Sequence, residues 1–266
     1  MAQPVPAATI LLVRDAAAGL EVFLVERHHE IDFATGALVF PGGKLDPGDR
    51  DPRALARCAR GPGPTDEAAR ALRVAAIRET FEEAGVLLAR PRGSRALVDA
   101  ARSREIGGRH RAGLLADAIA LADVAETEDL ELATDLLVPF AHWITPEFMP
   151  KRFDTHFFLV QAPPDQAAVH DGGESVDSTW ATPAAALAEA EAGRRTIIFP
   201  TLLNLRKLGR SRSVAEALER ARQGPIVTVL PRVERREGRA VVCIPAEADY
   251  GVTEATPTEL DRRPRA

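Results

Sequence analysis

The sequence contains little cysteine and has no long apolar run. Two cysteines among 266 residues, Cys58 and Cys243, exclude a disulfide scaffold and a cysteine-rich zinc site. They also favour a reduced compartment. The opening Met-Ala-Gln-Pro-Val-Pro is not typical of a signal peptide, and no apolar stretch approaches the roughly 20 residues of a membrane helix. We therefore expect a cytoplasmic protein with no membrane partner.

The sequence also lacks a surplus of positive charge. It has 34 basic and 39 acidic residues, a formal net charge of -5, and lysine only at positions 44, 151 and 207. Nucleic-acid binding through bulk charge is therefore not expected. Hydrophobic residues make up 45% and charged residues 27% of the chain, which is an ordinary globular composition.

Apolar and turn residues alternate along the chain in a way that predicts a mixture of strands and helices. Glycine and proline are dense over 47–64, which predicts an irregular segment, and a helix is predicted from Thr65 to Leu88. Strands are predicted at 7–13, 21–26, 37–40, 137–144 and 153–161, a short strand near 177–181, and a hairpin of 226–230 with 240–244. Further helices are predicted in 94–125, broken at Gly107-Gly108, and at 183–191, 200–208 and 213–222. This mixture indicates an α/β or α+β fold.

Three glutamates share one face of the predicted helix at 65–88. Glu79, Glu82 and Glu83 stand at i, i+3 and i+4. Three like charges repel one another, and a hard divalent cation such as Mg²⁺ would offset that repulsion. Arg78 lies one turn before Glu82 and can orient and neutralise it. A solvated acidic face is the alternative interpretation.

A glycine loop precedes this helix in the sequence. Gly42, Gly43 and Lys44 follow a predicted strand, and successive amide groups in such a loop can bind phosphate. A strand, a glycine loop and a helix with carboxylates on one face together suggest a site for a metal ion and a diphosphate.

These motifs resemble those of the Nudix hydrolases, whose signature is G-x5-E-x7-R-E-U-x-E-E-x-G-U, with U aliphatic. Gly43 and Asp49 match the first half, with Asp in place of Glu, and residues 78–86 match the second half apart from Thr80. Residues 50–77 separate the two halves, which is 21 residues more than the signature allows. This split motif is similar to that of the subgroup that includes the peroxisomal coenzyme A diphosphatases.

The resemblance implies a fold and a domain organisation. It implies an α/β/α sandwich with a mixed sheet, formed by a Nudix domain at 1–205 with insertions at 50–77 and 94–129. Residues 206–266 would form a C-terminal extension of helices and a hairpin with a mobile tail. The segments at 94–129 and 206–266 could cap the cleft or form the interface of a homodimer.

The resemblance also implies a mechanism. Glu79, Glu82 and Glu83 would bind Mg²⁺ or Mn²⁺, which would bridge the diphosphate and polarise a water that attacks phosphorus. Glu174, in a later loop, would be a further ligand or the general base. Glu79 or a metal-bound hydroxide could be the base instead.

The substrate implied is a small molecule that contains a nucleoside diphosphate. Coenzyme A-cleaving members carry the pattern L-L-T-x-R-[SA]-x3-R-x3-G-x3-F-P-G-G upstream of the motif. Arg27, Gly36 and residues 40–43 match it, whereas His28 and Asp32 depart from it. Asp32 removes a cation where a 3′-phosphate would be bound, so ADP-ribose, a dinucleotide or an NDP-sugar is the alternative substrate. A non-catalytic binding module of the same fold is a third possibility, although such modules would be expected to lose the carboxylates.

The remaining candidates for substrate binding are Gly42, Gly43, Lys44 and Arg152, the last of which precedes a strand expected to line the cleft. The histidines at 28, 29, 142, 156 and 170 show no zinc-like spacing. We interpret them as surface or hydrogen-bonded residues.

Overall fold

The computed structural model describes residues 2–27, 36–59, 66–170, 175–236 and 239–256. Its strands are β1 Val5–Ala16, β2 Gly19–Arg27, β3 Ala37–Val39, β4 Gly42–Lys44, β5 Ala89–Pro91, β6 Leu130–Leu132, β7 Val138–Ile144, β8 Phe153–Gln161, β9 Ser175–Ala181, β10 Thr196–Ile197, β11 Thr228–Val229, β12 Arg232–Arg236, β13 Arg239–Cys243 and β14 Glu254–Ala255. Its α-helices are α1 Pro52–Ala56, α2 Glu67–Ala84, α3 Ala100–Leu115, α4 Leu121–Thr127, α5 Pro183–Glu191, α6 Phe199–Leu208 and α7 Val214–Gln223.

A mixed sheet organises the described residues. Its strand order is β10-β3-β2-β1-β8-β7-β11, and β4 and β9 add to β1 and β2. β1 and β8 pair in parallel, whereas β1 pairs antiparallel with β2 and β4. Both faces of β1 are buried: Ala8, Ile10 and Leu12 face one core, and Leu11 and Val13 face the other.

Helices cover both faces of this sheet. One core contains apolar residues of α1 to α4, and the other contains those of α5, α6 and α7. The predicted α/β/α sandwich with a mixed sheet is therefore confirmed.

Helix α2 is buried on all sides from Ala71 to Ala84. The side chain of Asp66 caps its N-terminus by accepting a hydrogen bond from Ala69 N at 3.0 Å. Gly85, at φ 68°, ends it three residues before the predicted Leu88, because a left-handed C-cap suits glycine. Thr65, at which the predicted helix begins, lies outside the described residues.

Two predicted elements differ from the structure. Helix α3 continues through Gly107-Gly108 without the predicted break. A Cβ at Gly107 would lie 3.8 Å from the ring of Phe81, so the helix runs close to α2 at this position. The predicted hairpin of 226–230 with 240–244 is also wrong. The apolar segment at 228–229 instead extends the main sheet beside β7, and 239–243 pairs with 232–236.

The segment after position 205 is not separate from the rest of the described chain. Position 205 lies inside α6, and Val214, Val229 and Tyr250 belong to the core beneath the sheet. The expected tail lies outside the described residues from 257 onward. Within the described ranges, no helix has the length and apolar character needed to cross a bilayer.

Candidate metal and diphosphate site

Helix α2 carries its three glutamates into a buried position beside the glycine loop. Glu79, Glu82 and Glu83 have only 8%, 8% and 5% of their surface exposed. A solvated acidic face would leave such side chains in water, so that alternative interpretation of the sequence is wrong. Buried carboxylates need cations or hydrogen-bond donors to balance their charge.

Arg78 supplies one such cation. Its Nε lies 2.9 Å from Asp49 Oδ1 and its Nη2 lies 3.0 Å from Asp49 Oδ2, a two-point contact that fits a guanidinium to a carboxylate. Its Nη1 lies 2.9 Å from Glu79 Oε1 and 2.8 Å from Glu82 Oε2. Its Nη2 also lies 3.5 Å from Asp46 Oδ2, so this guanidinium contacts four carboxylates at once.

Two glycines allow the loop to approach these carboxylates closely. Gly42 N donates a hydrogen bond to Glu83 Oε2 at 2.9 Å. A Cβ on Gly43 would lie 2.3 Å from Glu79 Oε1, so a side chain at Gly43 would collide with that carboxylate. The backbone of the loop thus lies directly against two of the three glutamates.

Three carboxylates of this cluster have raised pKa values. Burial raises the pKa of Asp49 despite its contact with Arg78, and it raises the pKa of Glu79 well above its usual range. Burial also raises the pKa of Glu82 to about 7, although Arg78 opposes the shift. These three carboxylates share the guanidinium of Arg78, and their raised pKa values favour a site that takes up further positive charge.

A cavity of about 410 Å³ adjoins the cluster. Arg78 and Glu82 line it, together with Asp46, Asp117 and Asp123. An anionic diphosphate would be repelled from so acidic a cavity unless cations bound there as well. Carboxylate oxygens are the ligands that Mg²⁺ and Mn²⁺ prefer, so the donor set fits a hard divalent cation.

The structure places the other predicted substrate-binding residues differently. Lys44 is exposed, and its carbonyl oxygen accepts a hydrogen bond from Arg78 Nη2 at 2.9 Å. Arg27 ends β2 opposite Ser175, and the neighbouring Glu174 lies outside the described residues.

Arg152 does not join the carboxylate cluster. Its Nε donates to Thr145 O at 3.0 Å and its Nη1 donates to Ala2 O at 2.9 Å. These backbone contacts hold the guanidinium at the start of β8, and the substrate contact expected of Arg152 stays a prediction.

Arg111 of α3 contacts helix α2, and the sequence did not predict this contact. Its Nε and Nη2 donate to Glu82 O at 2.9 and 2.7 Å, near the C-terminal end of α2. Carbonyls in a helix's last turn lack intrahelical partners, so an arginine is well placed there. The segment at 94–129 thus contacts the backbone of a candidate metal ligand.

A second cluster also escaped the sequence analysis. His142, Asp154 and His156 converge from β7 and β8, with donor atoms within 4.8 Å of one another. Alternation along two adjacent strands could have revealed it, because 142 and 144 face 156 and 154 across the pair. The spacing in the chain gave no such signal.

Comparisons with known proteins agree with this geometry. A family model described as the NUDT19 Nudix domain matches residues 54–208, more than half of the chain. A Caenorhabditis elegans protein named "Putative nudix hydrolase 7" is 28% identical over 189 residues, which cover 70% of this chain and 55% of that protein. The chain thus spans about half the length of this curated relative.

One solved structure shares the fold of this chain. The crystal structure of a NUDIX hydrolase from Alicyclobacillus acidocaldarius has a TM-score of 0.72 and 28% identity, and the match covers 85% of this chain and all of that one. A Caenorhabditis elegans Ap4A hydrolase complex is more distant, with a TM-score of 0.39, 17% identity, and coverage of 77% and 96%. By the matched model, the arrangement of Arg78 with its carboxylates, and the shared fold, this chain belongs to the Nudix hydrolase family.

Proposed function

We propose that this protein hydrolyses a diphosphate bond in a nucleoside diphosphate that is linked to a second moiety, with Mg²⁺ or Mn²⁺ as cofactor. The observation that carries the proposal is the cluster of buried carboxylates, Asp49, Glu79, Glu82 and Glu83, of which three contact the guanidinium of Arg78. That cluster lies beside a glycine loop and an acidic cavity.

In this proposal each residue of the cluster has a distinct task. Glu79, Glu82 and Glu83 would hold the divalent cations, which when bound neutralise the diphosphate and polarise the attacking water. Arg78 fixes Glu79 and Glu82 in place through direct contacts and is itself anchored by Asp49. Arg78 therefore acts as a positioning residue.

The glycine loop completes the site from the opposite side. Gly42 N fixes the Glu83 carboxylate, and the bare Cα of Gly43 leaves room for the Glu79 carboxylate. The exposed side chain of Lys44 would attract the anionic substrate towards this loop. We assign substrate contacts to Gly42, Gly43 and Lys44 on this basis.

Glu174 and Arg27 are the remaining residues of the proposed site. In the pairing of β2 with β9, Arg27 stands opposite Ser175, the residue that follows Glu174 in the sequence. We propose that Arg27 contacts a phosphate, and that Glu174 serves as a further metal ligand or as the base. Because Glu174 lies outside the described residues, its support comes from its place in the sequence.

Coenzyme A or an acyl-coenzyme A is the leading substrate. The split motif, Arg27, Gly36 and residues 40–43 resemble the coenzyme A-cleaving subgroup, and the NUDT19 Nudix model matches. Asp32 departs from that pattern by replacing an arginine, which favours ADP-ribose, a dinucleotide or an NDP-sugar as the second candidate.

A turnover screen tests both candidates. Coenzyme A, acetyl-coenzyme A, 3′-dephospho-coenzyme A, ADP-ribose, NADH, diadenosine polyphosphates and NDP-sugars would be compared with Mg²⁺ and with Mn²⁺, with the Glu83→Gln variant as the blank. We expect a higher kcat/KM for coenzyme A than for its dephospho form. Equal rates on those two, or a preference for ADP-ribose or a dinucleotide, would contradict the coenzyme A assignment while retaining the diphosphatase. No turnover of any compound would contradict the proposed activity itself.

A cytoplasmic location and a homodimer remain predictions of the sequence. Light scattering on the purified chain tests the second of these, with a dimeric mass as the expected result.

A further inference from the structure

The second cluster of potential ligands lies on β7 and β8, outside helix α2. His142 and His156 stand directly opposite each other, and their rings stack with centroids 4.1 Å apart. Asp154 Oδ1 lies 2.5 Å from His142 Nε2 and 3.8 Å from His156 Nε2. Three donor atoms of two chemical types therefore converge on one small volume.

These separations are close to those that a metal site requires. Zinc binds histidine nitrogen and carboxylate oxygen at about 2.0–2.2 Å, so ligand atoms in a tetrahedral site lie roughly 3.3 Å apart. The two separations from Asp154 Oδ1 lie on either side of that value, and all three ligand atoms lie within 4.8 Å of one another. The Asp154 and His156 side chains are 35% and 36% exposed, so an ion can enter from solvent.

Thr228 forms a hydrogen bond with the ring nitrogen of His142 that does not face Asp154. His142 Nδ1 lies 2.8 Å from Thr228 Oγ1 on β11, which pairs with β7 at this position. A hydroxyl can donate or accept, so Thr228 can accept from Nδ1–H when Nε2 binds a metal. Such an outer hydrogen bond orients a ligating histidine and fixes its tautomer.

The chemistry of the three side chains suits a transition metal. Two imidazole nitrogens together with one carboxylate oxygen favour such an ion over Mg²⁺.

The cluster lies on the same side of the sheet as the glutamates of α2. His142, His156, Ala8 and Gly43 form one row across four paired strands, so their side-chain positions share a face. Glu79 lies over Gly43 in that row. Two strand spacings separate Gly43 from His156, so the backbone positions of these two residues lie about 10 Å apart.

We propose that His142, Asp154 and His156 form a second metal site, for a transition-metal ion of the zinc class. Its ligands are His142 Nε2, Asp154 Oδ1 and His156 Nε2, with Thr228 as the outer hydrogen-bond partner of His142. This site is separate from the carboxylate site of α2 and does not depend on the proposed hydrolysis.

Zinc binding to the intact, metal-stripped chain tests this proposal. Calorimetry with Zn²⁺ in excess Mg²⁺ measures stoichiometry and affinity, and Co²⁺ absorption reports nitrogen ligation. We expect one tight site per chain. His156→Gln or Asp154→Asn should weaken it by at least about 100-fold, and Thr228→Val by about 10- to 100-fold.

Two control variants identify the site that binds. His170→Gln removes a half-buried histidine that contacts Ser178, away from the cluster, and should bind zinc as the wild type does. Glu83→Gln alters the α2 site and should also retain the tight zinc site. Circular dichroism and Tm check that each variant is folded.

Two results would overturn the proposal. One is the absence of stoichiometric Zn²⁺ binding by the wild type. The other is binding that survives in folded His156→Gln and Asp154→Asn but is lost in Glu83→Gln, which would place the zinc at the α2 carboxylates.

Discussion

Arg78 and Asp49 form a buried two-point ion pair although they stand 29 positions apart in the chain. Helix α1 follows Asp49 in the chain, and Arg78 lies in the later part of α2. The insertion at 50–77 therefore lengthens the chain between the two halves of the motif without separating them in space. Asp49 also accepts a hydrogen bond from Asp46 N at 2.8 Å, which fixes its shorter side chain where the family signature has Glu.

The first prediction concerns the stability of this ion pair. Arg78→Gln leaves Asp49, Glu79 and Glu82 buried without their cation, and removal of one partner of a buried pair costs about 3–5 kcal/mol. We expect a loss of that size in the free energy of unfolding of the metal-free protein, measured by denaturant titration.

The matched control is Arg194→Gln, which removes an exposed pair with Glu189 at 2.7 Å. Exposed pairs contribute at most about 1 kcal/mol, so this variant should remain close to the wild type. Equal stability of Arg78→Gln and Arg194→Gln would contradict the structural role of Arg78.

The second prediction separates catalysis from folding. Glu83→Gln retains an oxygen that can accept the hydrogen bond from Gly42 N, so the fold should persist. Loss of its charge should lower kcat by roughly 100-fold or more, the scale on which loss of a charge-stabilising group acts. Glu67→Gln, an exposed change at the start of the same helix, should leave kcat unchanged. Near-normal turnover by Glu83→Gln would show that this carboxylate is not a metal ligand.

The third prediction concerns the space above Gly43. Gly43→Ala places a methyl group where Glu79 Oε1 now lies, so the carboxylate must move. We expect weaker Mn²⁺ binding by calorimetry and a loss of turnover.

Gly108→Ala is its control, because Gly108 lies in α3 with nothing within 4 Å of the added methyl. That change should keep full activity and stabilise the protein by up to about 1 kcal/mol, since alanine favours helix over glycine. Unchanged Mn²⁺ affinity in Gly43→Ala would show that Glu79 does not bind the ion.

The sequence predicted the part of the site that lies within local elements. Helical periodicity placed Glu79, Glu82 and Glu83 together, and the glycine loop was found from its composition. Burial of the whole of α2 was not predictable, because its apolar residues mark only one face. The contact from Arg111 and the meeting of His142 with His156 depend on packing between distant segments, which no local pattern encodes.

For the fold too, local elements were predictable from the sequence, whereas pairing between distant segments was not. Strand β8 and helix α5 were predicted from short-range sequence patterns, and both occur at the predicted residues. Position 228 was predicted to pair within a C-terminal hairpin, but it pairs with β7 because the main sheet leaves that edge open. Which strand an apolar segment pairs with depends on which sheet edge is open in the folded chain. The sequence alone does not show that edge.

The fourth prediction concerns pH. Burial raises the pKa of Glu82 to about 7 in the folded chain, above its value in the unfolded chain. Its ionisation therefore destabilises the metal-free fold, and the cost grows as pH rises from about 4.5 to above 7.

Glu82→Gln removes that cost. In chelator, its Tm should exceed that of the wild type at pH 8 by several degrees, since each kcal/mol shifts Tm by about 2–4 °C in a chain of this size. The difference should shrink towards pH 5. A Tm difference that does not change with pH would contradict the assigned protonation of Glu82.

The most direct test of the account is the metal dependence of diphosphate hydrolysis. Wild-type protein would be stripped with chelator, assayed on the best substrate of the screen, and assayed again after Mg²⁺ or Mn²⁺ is added in excess, with Glu83→Gln in parallel. The account predicts no turnover in chelator, full recovery of the wild type with either ion, and little recovery of the variant. Turnover that persists in excess chelator would contradict the role assigned to the buried carboxylates of α2.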